Sequence, residues 1–124
     1  MTARSFLRRA EGTAAIEFTF TSPIYFMAVF GLAQVGLWLW ADFSLQQAVG
    51  AASRCAAVLK TTCDNAADTE AYAAGAAVGL PVTSSAFTAT NTTCGWQVSA
   101  SYSVPTFIPA LPSIQVNVSA CYPA

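Results

Sequence analysis

Gly12-Thr13-Ala14-Ala15-Ile16-Glu17-Phe18 opens the one long apolar stretch of this chain, and residues 18–41 that follow carry no charge at all. Those 24 residues would measure about 36 Å as a helix, at about 1.5 Å per residue. A bilayer core is about 30 Å thick, so the run is long enough to span it with some tilt. Glu17 interrupts its start, behind Arg4, Arg8 and Arg9. A carboxylate in a membrane segment costs about 2.5–3.5 kcal/mol on insertion scales and commonly marks a functional site with a partner. What neutralises Glu17 is therefore the functional question.

The totals agree with a membrane protein. The hydrophobic fraction is 55% and the charged fraction 9%, against about 25% charged in an ordinary soluble domain. The formal net charge of −1 supplies no electrostatic footprint for nucleic acid. A secretory signal would have an apolar region of about 7–15 residues, shorter than this run, so the expectation is a retained helix. Arginines before the span favour a cytoplasmic N-terminus by the positive-inside rule. Trp38 and Trp40 close the span where indoles prefer the outer headgroup interface, as a membrane anchor. The chain then divides into a basic cytoplasmic leader (1–12), a transmembrane helix (13–41) and an exported domain (42–124).

The four cysteines Cys55, Cys63, Cys94 and Cys121 all fall in the exported part. An even count there implies two disulfides in an oxidising compartment, staples that suit a domain with a small core.

The fold class expected is α+β: a long N-terminal helix, a short second helix and a small three-stranded antiparallel sheet. Leu45, Val49, Ala52, Ala56 and Leu59 recur at steps of three and four, so the first helix should continue to about residue 59. Asp68 reads as the N-cap of a second helix ended by Gly79 and Pro81. Residues 85–92, 96–104 and 114–120 alternate as half-buried strands. Pairing the last two about the proline-rich loop 105–112, with opposed positions summing to about 215, puts Cys94 opposite Cys121 and leaves Cys55 for Cys63. Three connectivities exist for four cysteines, and a Cys55 link to Cys94 or Cys121 would overturn this one.

Pro23 is tolerated in a membrane helix with a local adjustment. Thr19, Thr21, Ser22, Gly31, Gln34 and Gly36 suit helix–helix contacts in lipid, or bonding back to their own helix. Catalytic chemistry is poorly provided for. There is no histidine, no phosphate-binding glycine loop and no C-x-x-C pair, so no enzyme, cofactor or metal site is expected. The triplets at Asn91 and Asn117 match the glycosylation acceptor pattern, which arises often by chance. A tethered thiol oxidoreductase would need a reactive cysteine of lowered pKa.

The arrangement of a short basic leader, Gly12, Glu17 as the fifth residue after it, Phe18 and an apolar helix resembles the class III leader of type IV pilins and pseudopilins. Arg8-Arg9-Ala10-Glu11-Gly12-Thr13-Ala14-Ala15-Ile16-Glu17-Phe18 is most similar to the TadE-like proteins of the tight-adherence (Flp) pilus system. Pro23, Gly31 and Gln46-Gln47-Ala48-Val49-Gly50-Ala51-Ala52-Ser53-Arg54 fit that pattern too. The resemblance covers about residues 8–60. It implies a minor pilin or pseudopilin in the inner membrane, cut between Gly12 and Thr13 by a prepilin peptidase. Its partners would be other pilin subunits and the assembly platform, with Glu17 and Phe18 acting in assembly. The amine freed at Thr13 on one subunit would then neutralise Glu17 on a neighbour. The rival expectation is an uncleaved single-pass envelope protein whose outer domain binds something else.

Overall fold

A computed structural model describes residues 3–124, with side chains from Gly12 onward. The chain forms two compact units, 1–35 and 36–124. The first helix, α1 (Ala3–Val58), supplies the described part of the first unit and enters the second. In the first unit Phe18, Phe20, Ile24, Met27 and Leu32 are all exposed. A helix apolar on every side needs an apolar surrounding. Residues Gly12–Val58 include a stretch long and apolar enough to cross a membrane. The Thr19 and Thr21 hydroxyls donate to the carbonyls of Ala15 and Glu17, each at 2.8 Å. These threonines are thus satisfied within their own helix. Pro23 lies inside α1. The helix already begins at Ala3, so residues 3–12 and the apolar run share one element; Met1, Thr2 and the side chains of Arg4, Arg8 and Arg9 lie outside the described residues.

In the second unit α1 becomes one-sided. Ala41, Leu45, Ala48, Val49, Ala52 and Ala56 are buried, while Phe43, Gln47 and Arg54 are exposed. Leu59 does not extend this stripe: α1 ends at Val58 and the Leu59 side chain is exposed. The chain turns there, with Leu59 N–H donating to the Cys55 carbonyl and Cys63 N–H to that of Leu59. That reversal returns Cys63 to Cys55, and the two form a disulfide with Cα atoms 5.8 Å apart.

The second helix, α2, spans Ala66–Ala76, and its N-cap is Asn65, not Asp68. Asn65 Oδ1 accepts from Asp68 N–H at 3.0 Å, and Asn65 Nδ2 donates to Asp68 Oδ2 at 2.9 Å. Asp68 therefore sits three residues inside the cap, where an acid favours the positive helix end. Both residue types suit a cap, and only the closed ring of bonds distinguishes them.

After a single 3-10 turn (Ser84–Ala86), three strands form an antiparallel meander: β1 (Phe87–Thr92), β2 (Gly95–Val104) and β3 (Ile114–Tyr122). The turn takes Ser85 and Ala86 out of the strand expected from residue 85. The β2–β3 register also differs from expectation. Trp96 faces Tyr122 and Val104 faces Ile114, so opposed positions sum to 218 rather than about 215. Parity explains the difference. An odd sum would set the Val98, Ala100 and Tyr102 face against Gln115, Asn117 and Ser119, whereas the even sum matches like with like. Cys94 still reaches Cys121, with Cα atoms 6.4 Å apart, because it lies in the turn before β2 and crosses to a diagonal neighbour.

The core is Ala41, Leu45, Ala48 and Ala52 of α1, Ala73 of α2, and Phe87, Val98, Val104 and Val116 of the sheet. Alanines on the helices let the larger sheet residues close onto them. Beside it, Trp96 packs against Cys55, Ala56 and Cys63, with Lys60 Nζ 5.8 Å from its ring centroid.

Glu70 ties α2 to the sheet: its Oε1 accepts the Ala89 N–H of β1 at 3.0 Å. The donor lies on the strand edge away from β2 and is part-buried. Glu70→Ala should cost about 1–2 kcal/mol by leaving it unpaired, and Glu70→Gln should recover most of the loss. Denaturant melts of the solubilised chain measure both; equal stability of the alanine variant and the wild type would contradict the tie.

Candidate assembly site on the N-terminal helix

Gly12, Thr13, Glu17 and Phe18 lie on successive turns of α1. Thr13 and Glu17 are four residues apart, which places them on the same helix face. All four are exposed, and the Phe18 ring is 71% accessible. A Cβ built on Gly12 meets nothing within 4 Å, so the proposed cut has open space around it. Among the described residues, no side chain bonds the Glu17 carboxylate; only the Glu17 main-chain carbonyl is engaged, by Thr21. The site is an apolar helix surface holding one carboxylate, and it can act chemically only through whatever cation is brought to it.

The other sequence-predicted residues serve the second unit. Trp40 lies against the loop after α2, where a Cβ on Gly79 would come within 3.1 Å of its Cζ2. Gly79 has a φ of +78°, so it supplies both the turn and the room for the indole. Trp38 is partly accessible. All four cysteines are in disulfides, Cys55–Cys63 buried and Cys94–Cys121 exposed. Among the described residues, no cluster of His, Cys, Asp or Glu could hold a metal ion.

Sequence reading missed three positions that hold the outer unit. Glu70 gave no signal, since a helical glutamate is ordinarily solvated. The Ser44 hydroxyl donates to the Val78 carbonyl at 3.0 Å, a long-range bond that no spacing predicts. Gly95 has a φ of +118°, and a signal was available there: a glycine following a cysteine between two alternating runs marks a turn.

No curated protein and no solved structure matches the chain. Residues 12–54 match the family model for TadE-like proteins, a segment that begins at Gly12 and ends within the last turn or so of α1. Over the helix that carries Glu17, the chain is similar to TadE-like proteins.

Proposed function

We propose that the chain is a minor pilin or pseudopilin of the tight-adherence (Flp) pilus system, processed after Gly12 by a prepilin peptidase. The observation that carries the reading is Glu17, exposed on an apolar helix and one turn beyond Thr13. Hydrolysis of the Gly12–Thr13 peptide bond creates an α-amino group on that same face. It also moves Glu17 from mid-helix to one turn from a helix end, because α1 otherwise runs unbroken from Ala3. The N–H groups of residues 13–16 then lose their carbonyl partners, and the new helix end carries partial positive charge. A carboxylate four residues in becomes favourable where it was costly. In a bundle of such helices the amine of one subunit can meet Glu17 of the next, so assembly removes the residual charge cost.

The basic leader sets the orientation: N-terminus in the cytoplasm, residues beyond the span in the periplasm, with the bacterial inner membrane as the site of insertion. The disulfide-stapled outer unit suits that compartment. The function lies in assembly and not in catalysis, with the membrane, the peptidase, other pilins and the platform as partners. Gly12→Phe should block processing completely, read as an intact mass retaining residues 1–12 in cells that express the peptidase. A shortened Gly12→Phe chain ending at the same cut would remove the specificity on which the reading depends.

The rival is an uncleaved membrane-anchored interaction protein. The unbroken helix through Gly12 favours it, since leader and span would make one continuous anchor. The N-terminus of the protein isolated from membranes separates the two.

A further inference from the structure

The outer unit is polarised. Its charged residues other than Asp42 are Arg54, Lys60, Asp64, Asp68 and Glu70, near the C-terminal end of α1, in the segment between α1 and α2 and in the first half of α2. No Asp, Glu, Lys or Arg follows Glu70. At the opposite end of the unit, Trp40, Phe43, Ser44, Gln47, Ala76 and Val78 line a largely apolar cleft between α1 and the loop after α2. Val78 is 72% exposed and Trp40 57%. The Ser44–Val78 hydrogen bond and the Trp40–Gly79 contact fix that loop at the level of Trp40 on α1. Its sequence, Val78-Gly79-Leu80-Pro81-Val82, has no charged or hydrogen-bonding side chain. Asp42 points elsewhere: it bonds Gln46 and lies beside Asn117 and Val118 of β3.

A second loop reaches the same end. β2 starts with Trp96 against the Cys55–Cys63 bridge. From there to Val104 is about 26 Å of strand at about 3.3 Å per residue. From Ala56 back to Trp40 is about 24 Å of helix. Trp96 sits at Cys55 and Ala56, while Val118, paired with Ala100, lies beside Asp42. β2 therefore runs toward the Trp40 end of α1, and the β2–β3 loop, residues 105–113, leaves the sheet at that end. It is also uncharged, with Leu111 50% exposed.

We propose that these two loops and the Trp40–Phe43 surface form a lipid-contacting base, seated in the headgroup and upper acyl region of the bilayer that α1 crosses. The occupant follows from continuity, because Trp38 and Trp40 end the apolar run and place the interface at the level of both loops. Apolar loops with no charge at that depth keep apolar area in water if they stay outside the bilayer and bury it if inserted. The outer unit is thereby held upright by three points, α1 and two loops, with its charged end away from the membrane. The inference rests on the membrane reading of α1 and goes beyond it by assigning residues outside α1 to the bilayer.

Hydroxyl-radical labelling of the full chain in phospholipid nanodiscs, one chain per disc, tests it without substitutions. Accessible side chains are labelled in proportion to exposure, and single occupancy removes shielding by a second copy. Phe30 reports the span, Val78 and Leu111 the two loops, and Leu59 and Tyr72 the charged end. The expected result is labelling of Val78 and Leu111 at least about fivefold below that predicted by their exposure, with Leu59 and Tyr72 labelled in full, since lipid excludes the radical source. Protection of Phe30 with full labelling of Val78 and Leu111 overturns the base while leaving the span intact. Equal protection of Leu59 and Tyr72 overturns it as well, because the unit would then lie on its side. Full labelling of Phe30 removes the membrane reading and the inference with it.

Discussion

Glu17→Ala should leave the cut after Gly12 largely intact and lower pilus output by about tenfold or more. Insertion alone predicts the reverse, since removing a carboxylate from an apolar helix saves about 2.5–3.5 kcal/mol. The loss arises only if Glu17 has a cation to meet in the assembly. Taking one partner from a buried pair strands the other charge and costs about 3–5 kcal/mol; about 1.4 kcal/mol is already tenfold in an equilibrium. Because Glu17 is exposed and its carboxylate has no side-chain partner among the described residues, the substitution removes no side-chain contact among them. Glu17→Asp should retain part of the output and Glu17→Gln little of it, since charge matters more than shape. Quantifying surface pili beside the processed fraction of the subunit checks this. Normal output from Glu17→Ala would argue against the pairing.

Gly95→Ala should give the largest loss of stability in the outer unit, about 3–5 kcal/mol. Gly95 has a φ of +118°, a conformation that costs an L-residue heavily. The added Cβ would also run into the Tyr122 carbonyl oxygen, with Pro123 Cα and Ala124 N each within 2.8 Å. Those neighbours are backbone, and the Cys94–Cys121 disulfide fixes the segment that would have to move. For a unit of this size about 1 kcal/mol corresponds to about 4–8 °C, so the melting temperature should fall by 10 °C or more, an order-of-magnitude figure. Gly75→Ala is the control. It lies inside α2 with open space around its Cα, and alanine there should be neutral or mildly stabilising. Thermal melts of the two variants side by side, under non-reducing conditions, give the comparison. A Gly95→Ala chain melting with the wild type would mean that the turn is not constrained as described.

The elements that depend on local pattern were legible in the sequence. The uncharged run 18–41, the alanine-spaced half of α1 and the alternation in 96–104 and 114–120 each bury or expose residues by a fixed period, and the α+β arrangement follows from them. Elements that depend on tertiary geometry were not. The β2–β3 register is set by matching two apolar faces across a loop too long to fix it, and an estimate centred on that loop misplaced the opposed sum by three. The disulfide tolerates the difference, because Cys94 lies in the turn and its side chain can cross to Tyr122's neighbour. Asn65 and Asp68 are both good caps, and only their mutual bonds decide between them. At the candidate site the reading rested on Gly12, Glu17 and the flanking charges. What the sequence did not indicate was that the leader is already helical from Ala3. That continuity would give the proposed cut its physical consequence, since cleavage within a helix creates a new charged helix end beside an existing acid.

The central claim is that Glu17 acquires its meaning from the chain end made at Gly12. N-terminal sequencing of the protein isolated from the membranes of the native cell tests it most directly. The account predicts a chain that begins Thr13-Ala14-Ala15-Ile16-Glu17, with Glu17 in fifth place. A mature chain that retains Gly12 and the arginine-bearing residues before it would contradict the account.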